Sequence, residues 1–290
     1  MNASTKRPKL ATETDREVFF KHWRIVAALA VFATANFSAG PLFDLGRRDP
    51  AWWGVANLTL GIMISQVMLI GFLLALFPAG FVFRFLMAFL LTSTQLILCW
   101  MGHFLFGVSN QNGVFGLWLS LVAAVVLAFA IPFAMTRGLV GWKLEAAELG
   151  IESTAKFSIG SLIVGTALMA LSLKAMQLDS VASISYKLTL VMVCAGVGLS
   201  ILIPYSLCVL RSKFHWFWLL VFSFGMAGLV AFVCWSSGIE SILAPADMIP
   251  TTDYGRRGWV IASSFAVTGF GLVLVAFKQA GLKMARSATA

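Results

Sequence analysis

The stretch VANLTLGIMISQVMLIGFLLALF, Val55 to Phe77, carries no acidic or basic side chain and is long enough to cross a bilayer as a helix. A span needs roughly 20 apolar residues, because each adds about 1.5 Å toward about 30 Å of hydrocarbon. Working outward, seven more runs of this kind appear, at Arg24–Phe43, Phe83–Phe106, Val114–Met135, Phe157–Ala175, Leu188–Leu210, Phe214–Trp235 and Trp259–Phe277. None has a charge near its middle. Composition agrees: 60% of the chain is hydrophobic and 11% charged, where soluble domains carry about 25% charged residues. The sequence therefore predicts an all-α, polytopic transmembrane bundle of eight spans. The polar stretch before the first span rules out reading that span as a cleaved signal, and Thr14 with Glu17 offers a capping box for its helix.

Basic residues orient the bundle, since lysine and arginine near a span stay in the cytoplasm. Lys6, Arg7, Lys9, Arg16, Lys21 and Arg24 precede or open the first span, and Arg84, Arg137, Lys143, Lys156, Arg211 and Lys213 fall on the same side. Arg47, Arg48, Lys174, Lys187, Arg256 and Arg257 fall on the other. The expectation is an inner-membrane protein with both termini cytoplasmic. Its parts are a cytoplasmic segment at 1–23, helices one to four within 24–136, a cytoplasmic interfacial connection at 137–156, helices five to eight within 157–277 and a cytoplasmic tail at 278–290. The net charge of +9 is then a topology signal; the clustered basic face that a nucleic-acid partner needs is missing. The expected partners are the lipid bilayer and other membrane subunits, and oligomeric state is left open.

Two local patterns recur. Leu58-Thr59-Leu60 and Leu188-Thr189-Leu190 open the second and sixth spans, and each span ends near a proline (Pro78, Pro204) followed by a basic residue (Arg84, Arg211) and aromatic side chains. This suggests two four-helix halves in one orientation. Between them, Trp142, Leu144, Leu149 and Ile151 set against Lys143, Glu145, Glu148 and Glu152 suit a helix lying in the interface. Small residues four apart mark helix seams, among them Ala35 with Ala39, Gly196 with Ser200, Ser223 with Ala227, and Ser264 with Thr268.

Chemistry-bearing residues are few. Asn36, Gln66 and Gln95 lie near the middle of the first three spans, with Thr92 before Gln95 and Cys99 one turn beyond it. A carboxamide without a partner in hydrocarbon costs several kcal/mol, so these amides bond to one another, to backbone, or to a ligand. The ligand version makes Asn36, Gln66, Thr92 and Gln95 a pocket for a neutral or lipophilic small molecule, with Ser109-Asn110-Gln111-Asn112 at its mouth. The competing site is on the outer loops, where Asp44, Asp49, Glu240 and Asp253 would serve a transferase or hydrolase acting on a lipid-linked substrate. No nucleophile elbow, zinc-protease helix or phosphate-binding loop is present. Cys99, Cys194, Cys208 and Cys234 are isolated and read as packing residues. His22 and His215 lie near the cytoplasmic ends of two spans, too shallow to favour haem ligation. The expectation is a non-enzymatic protein without metal, cofactor or catalytic residue, either a carrier or binder of a small molecule or a subunit of a membrane complex. No intramembrane carboxylate is available to couple it to protons or sodium, and no span reads as a broken helix.

Overall fold

The computed structural model describes residues 15–77, 79–106, 126, 128–137, 139–146, 192, 195–236 and 252–286. Within them the chain is helical except for one small sheet. Helix α1 is Asp15–Arg48, α2 Pro50–Leu76 and α3 Phe81–Leu105; α4 covers residues 128–137. After strand β1, Trp142–Ala146, come α5, Ala195–Arg211, α6, His215–Trp235, α7, Asp253–Gln279, and strand β2, Leu282–Arg286. Helices α1, α2, α3, α6 and α7 are long and apolar enough to cross a membrane. The predicted fifth span, and the first parts of the fourth and sixth, lie outside the described residues.

One expectation is corrected. The connection after α4 is a strand rather than a helix over 142–146: Gly141 has φ of 72°, a left-handed conformation that ends a helix cheaply only at glycine, and β1 follows. Its apolar residues Trp142 and Leu144 alternate with period two, which fits a strand better than a helix. Within the expected tail, β2 pairs antiparallel with β1, Leu144 opposite Met284. Both of these side chains are buried against the ends of the helices. Residues Glu148, Leu149, Ile151 and Glu152 of the proposed interfacial helix lie outside the described residues.

The core runs along α2, which is buried for most of its length. Its closest partner is α7. Gly61 packs on the Ala262 carbonyl and Phe265, Gly258 on Asn57 and Trp53, and Gly269 on Ser65, so missing side chains on alternate helices let the backbones approach. Gly71 of α2 meets Val126 and Phe129 in the same way. The small-residue seam on α6 and α7 holds a hydrogen bond between Thr268 Oγ1 and Ser223 Oγ at 2.9 Å, the Thr268 hydroxyl donating to the Ser264 carbonyl of its own helix.

Cations close the end of the bundle that carries the sheet. Arg84 is 8% exposed and donates to the Leu74 and Ala75 carbonyls; Arg137 donates to the same Ala75 carbonyl. Lys278 donates to the Val209 and Ser212 carbonyls. Each pairs with carbonyls at a helix C-terminus that the helix cannot satisfy, where the macrodipole also favours positive charge. The sequence marks Arg84 as a basic residue at a helix entrance; the C-terminal carbonyls of α2 draw it inward.

Candidate functional site

Helices α1, α2 and α3 meet at a level fixed by Ala39, Met63 and Cys99, which pack as one buried cluster. One turn toward the sheet end, each helix presents an amide: Asn36 three residues before Ala39, Gln66 three after Met63, Gln95 four before Cys99. Such spacings keep side chains on one helix face. All three are buried, at 0%, 9% and 2% exposure. Asn36 Nδ2 donates to Gln66 Oε1 at 2.7 Å. Two further amide oxygens, Asn36 Oδ1 and Gln95 Oε1, are buried without a hydrogen-bond partner. Thr92 is half-buried, one turn from Gln95 on α3.

Local sequence explains why the helices come this close. Pro41 lies inside α1 and has no N–H for the Phe37 carbonyl. That oxygen lies against the Cα of Gly102 on α3, where a side chain would collide with it, a position suited to a Cα–H···O contact. The His103 ring lies over Gly40 and its Nδ1 is 2.8 Å from the Cys99 carbonyl. The α1–α3 crossing is therefore set by Pro41, Gly40 and Gly102. Of these, Pro41 and Gly102 are legible in the sequence only once the pairing of α1 with α3 is known.

The acids of the alternative site are engaged separately. Asp44 forms an ion pair with Arg48 at 2.9 Å. Asp49 caps α2, accepting from Ala51 N at 2.9 Å, and Asp253 lies in the first turn of α7 behind the Thr252 cap, where negative charge suits the helix dipole. Asp49 and Asp253 share one end of the α2–α7 pair, marked by the Trp53–Tyr254 ring contact with centroids 6.0 Å apart. Glu240 and the loop at 109–112 lie outside the described residues. Both ring nitrogens of His215 are buried without a partner; the side chain of His22 is not among those described. Among the described residues no three His, Cys, Asp or Glu side chains come together as metal ligands do.

Two features escaped the sequence reading. Helix α5 contains a π-turn at Gly198–Leu202, just before Pro204, so the described part of the predicted sixth span is irregular. Widening the helix there accommodates a proline that cannot bond to the preceding turn. The second feature is Tyr205, fully buried, whose hydroxyl donates to the Val267 carbonyl at 3.3 Å and lies over Gly271. Comparison with protein-family models, with curated proteins and with solved structures finds no match.

Proposed function

We propose that this chain is a non-enzymatic inner-membrane protein that binds, and as a carrier moves, a neutral lipophilic small molecule bearing a hydroxyl group. Asn36, Gln66, Gln95 and Thr92 form its site. The observation that supports this reading is the pair of unpartnered amide oxygens, Asn36 Oδ1 and Gln95 Oε1, beside the Asn36–Gln66 bond. Buried polar groups are nearly always satisfied, and each exception calls for a partner. A hydroxyl both donates and accepts, so it serves either orientation of the terminal amides.

The sheet end faces the cytoplasm in this reading. Arg84, Arg137, Arg211, Lys213 and Lys278 gather there, which is the asymmetry that holds such loops inside. Catalysis on the outer face has less behind it, because the described outer carboxylates already serve as an ion pair, a helix cap and a first-turn acid.

Purification in mild detergent followed by native mass spectrometry tests the proposal. The expected result is a single chain that retains a stoichiometric small molecule, which Gln95→Leu or Asn36→Ala removes and Asp49→Asn or Asp253→Asn does not. Stoichiometric partner proteins with no small molecule would make the chain a subunit of a membrane complex. Retention that depends on the outer acids would favour the enzyme.

A further inference from the structure

Equivalent contacts occur twice in this molecule. In the first half, the C-terminal carbonyl of Ala75 on α2 accepts from Arg137, the cation that ends α4. In the second, the C-terminal carbonyl of Val209 on α5 accepts from Lys278, the cation that ends α7. Ala75 and Val209 are separated by the same number of residues as Phe81 and His215, the first residues of α3 and α6. The same separation links Gly71 with Tyr205. Gly71 packs on Phe129 of the helix before β1, and Tyr205 packs on Gly271 of the helix before β2, so the same pair of helices meets through a glycine in each half.

The strands repeat as well. Gly141-Trp142-Lys143-Leu144 and Gly281-Leu282-Lys283-Met284 share the pattern glycine, apolar, lysine, apolar. Both glycines are left-handed, with φ of 72° and 87°, and each opens a strand of five residues. The register then carries the argument. Leu144 stands opposite Met284, its own counterpart, while Trp142 pairs with Arg286 and Ala146 with Leu282. With Trp142 equivalent to Leu282 and Ala146 to Arg286, those outer pairs are one contact seen from both sides. That reciprocity defines an isologous, two-fold interface. Pairing two unrelated segments gives no reason for the register to centre on equivalent residues.

We infer that the chain is two helical units of one construction, related by an approximate two-fold axis that passes between Leu144 and Met284 and runs along the bundle. The surface made by β1, the end of α2 and α4 thus takes as its partner a second unit of its own kind, supplied here by the same chain. Helices α2, α5 and α7 all end at the sheet, where α2 touches β1 while α5 and α7 touch β2, so the units point the same way. Across the interface the helices also pair crosswise: Ser65 of α2 meets Gly269 of α7, and Gly198 of α5 meets Phe129 and Pro132 of α4.

The test uses the full chain in membranes, with its four cysteines replaced. Trp142→Cys with Arg286→Cys, and Ala146→Cys with Leu282→Cys, are treated with a short bis-thiol reagent. The two pairs are expected to cross-link with yields within about two-fold of each other, as one contact repeated by symmetry should. Trp142→Cys with Leu282→Cys, at opposite ends of the paired strands, should not link. A second variant rewrites residues 282–286 as Trp-Lys-Leu-Glu-Ala, the sequence of β1, which makes the pairing exactly symmetric; it should fold with an unchanged melting temperature, whereas Met284→Lys should lower it. Linking of only one outer pair, or failure of the rewritten strand to fold when Met284→Lys still folds, would overturn the two-fold arrangement.

Discussion

At the level where α1, α2 and α3 carry three amides, the second half is built differently. Counted at the separation that relates Ala75 to Val209, Gln66 corresponds to Ser200 and Gln95 to Leu229. Ser200 needs nothing beyond its own helix, since its hydroxyl donates to the Gly196 carbonyl at 2.6 Å, and it sits in the π-turn of α5. One half thus places amides where the other places a self-satisfied serine, a leucine and an irregular helical turn. At these two described positions the second half closes without a carboxamide. In the proposed reading, the unpartnered Asn36 and Gln95 oxygens of the first half serve a ligand, while the Asn36–Gln66 bond also joins α1 to α2.

The sharpest way to break the comparison is at the two tightest crossings. Gly102→Ala puts a methyl group against the backbone carbonyl of Phe37, which cannot turn aside as a side chain can. Overpacking of this kind costs about 1–3 kcal/mol, and the largest loss of melting temperature is expected here, read by thermal unfolding in mild detergent. Gly271→Ala drives a methyl group into the Tyr205 hydroxyl; the loss should be smaller, and Tyr205→Phe in the same chain should recover part of it. Full additivity of that pair would show that the second half is not organised around the tyrosine–glycine contact.

Next comes the amide bond. Asn36→Ala removes the hydrogen bond to Gln66 and should cost roughly 1 kcal/mol, the usual worth of a polar contact between membrane helices. Gln95→Leu, which writes the residue of the second half into the first, should behave in the opposite way. Removing a buried oxygen with no partner is neutral or stabilising, so the melting temperature should hold or rise while the bound small molecule is lost. A clear loss of stability would mean that Gln95 is structural and that the contrast between the halves has been misread. The smallest effect belongs to Asp44→Ala: its pair with Arg48 is exposed, and such pairs contribute about 0–1 kcal/mol.

Some of the site was legible before any packing was known. That Asn36, Gln66 and Gln95 sit mid-span follows from counting along apolar runs, and their need for partners follows from the cost of amides in hydrocarbon. Which amide would bond to which was not legible, because it depends on the rotation of each helix. The Asn36–Gln66 bond and the placing of Gln95 follow from the packing of Ala39, Met63 and Cys99. The partners of Arg84 were not legible for a related reason: its position in sequence marks a helix entrance, while the carbonyls that draw it inward belong to α2.

The sequence by itself determined the class of the molecule. Apolar length, absence of central charge and the distribution of lysine and arginine are local quantities, and the cost of exposing backbone to lipid turns them directly into helices. Only the tertiary structure decided that residues 142–146 and 282–286 form a sheet, that the bundle closes over Arg84, Arg137 and Lys278, and that α5 carries a π-turn. Each depends on a partner far away in the chain. A strand needs another strand to satisfy its backbone, a helix end needs a cation from elsewhere, and an irregular turn persists only where its neighbours hold it.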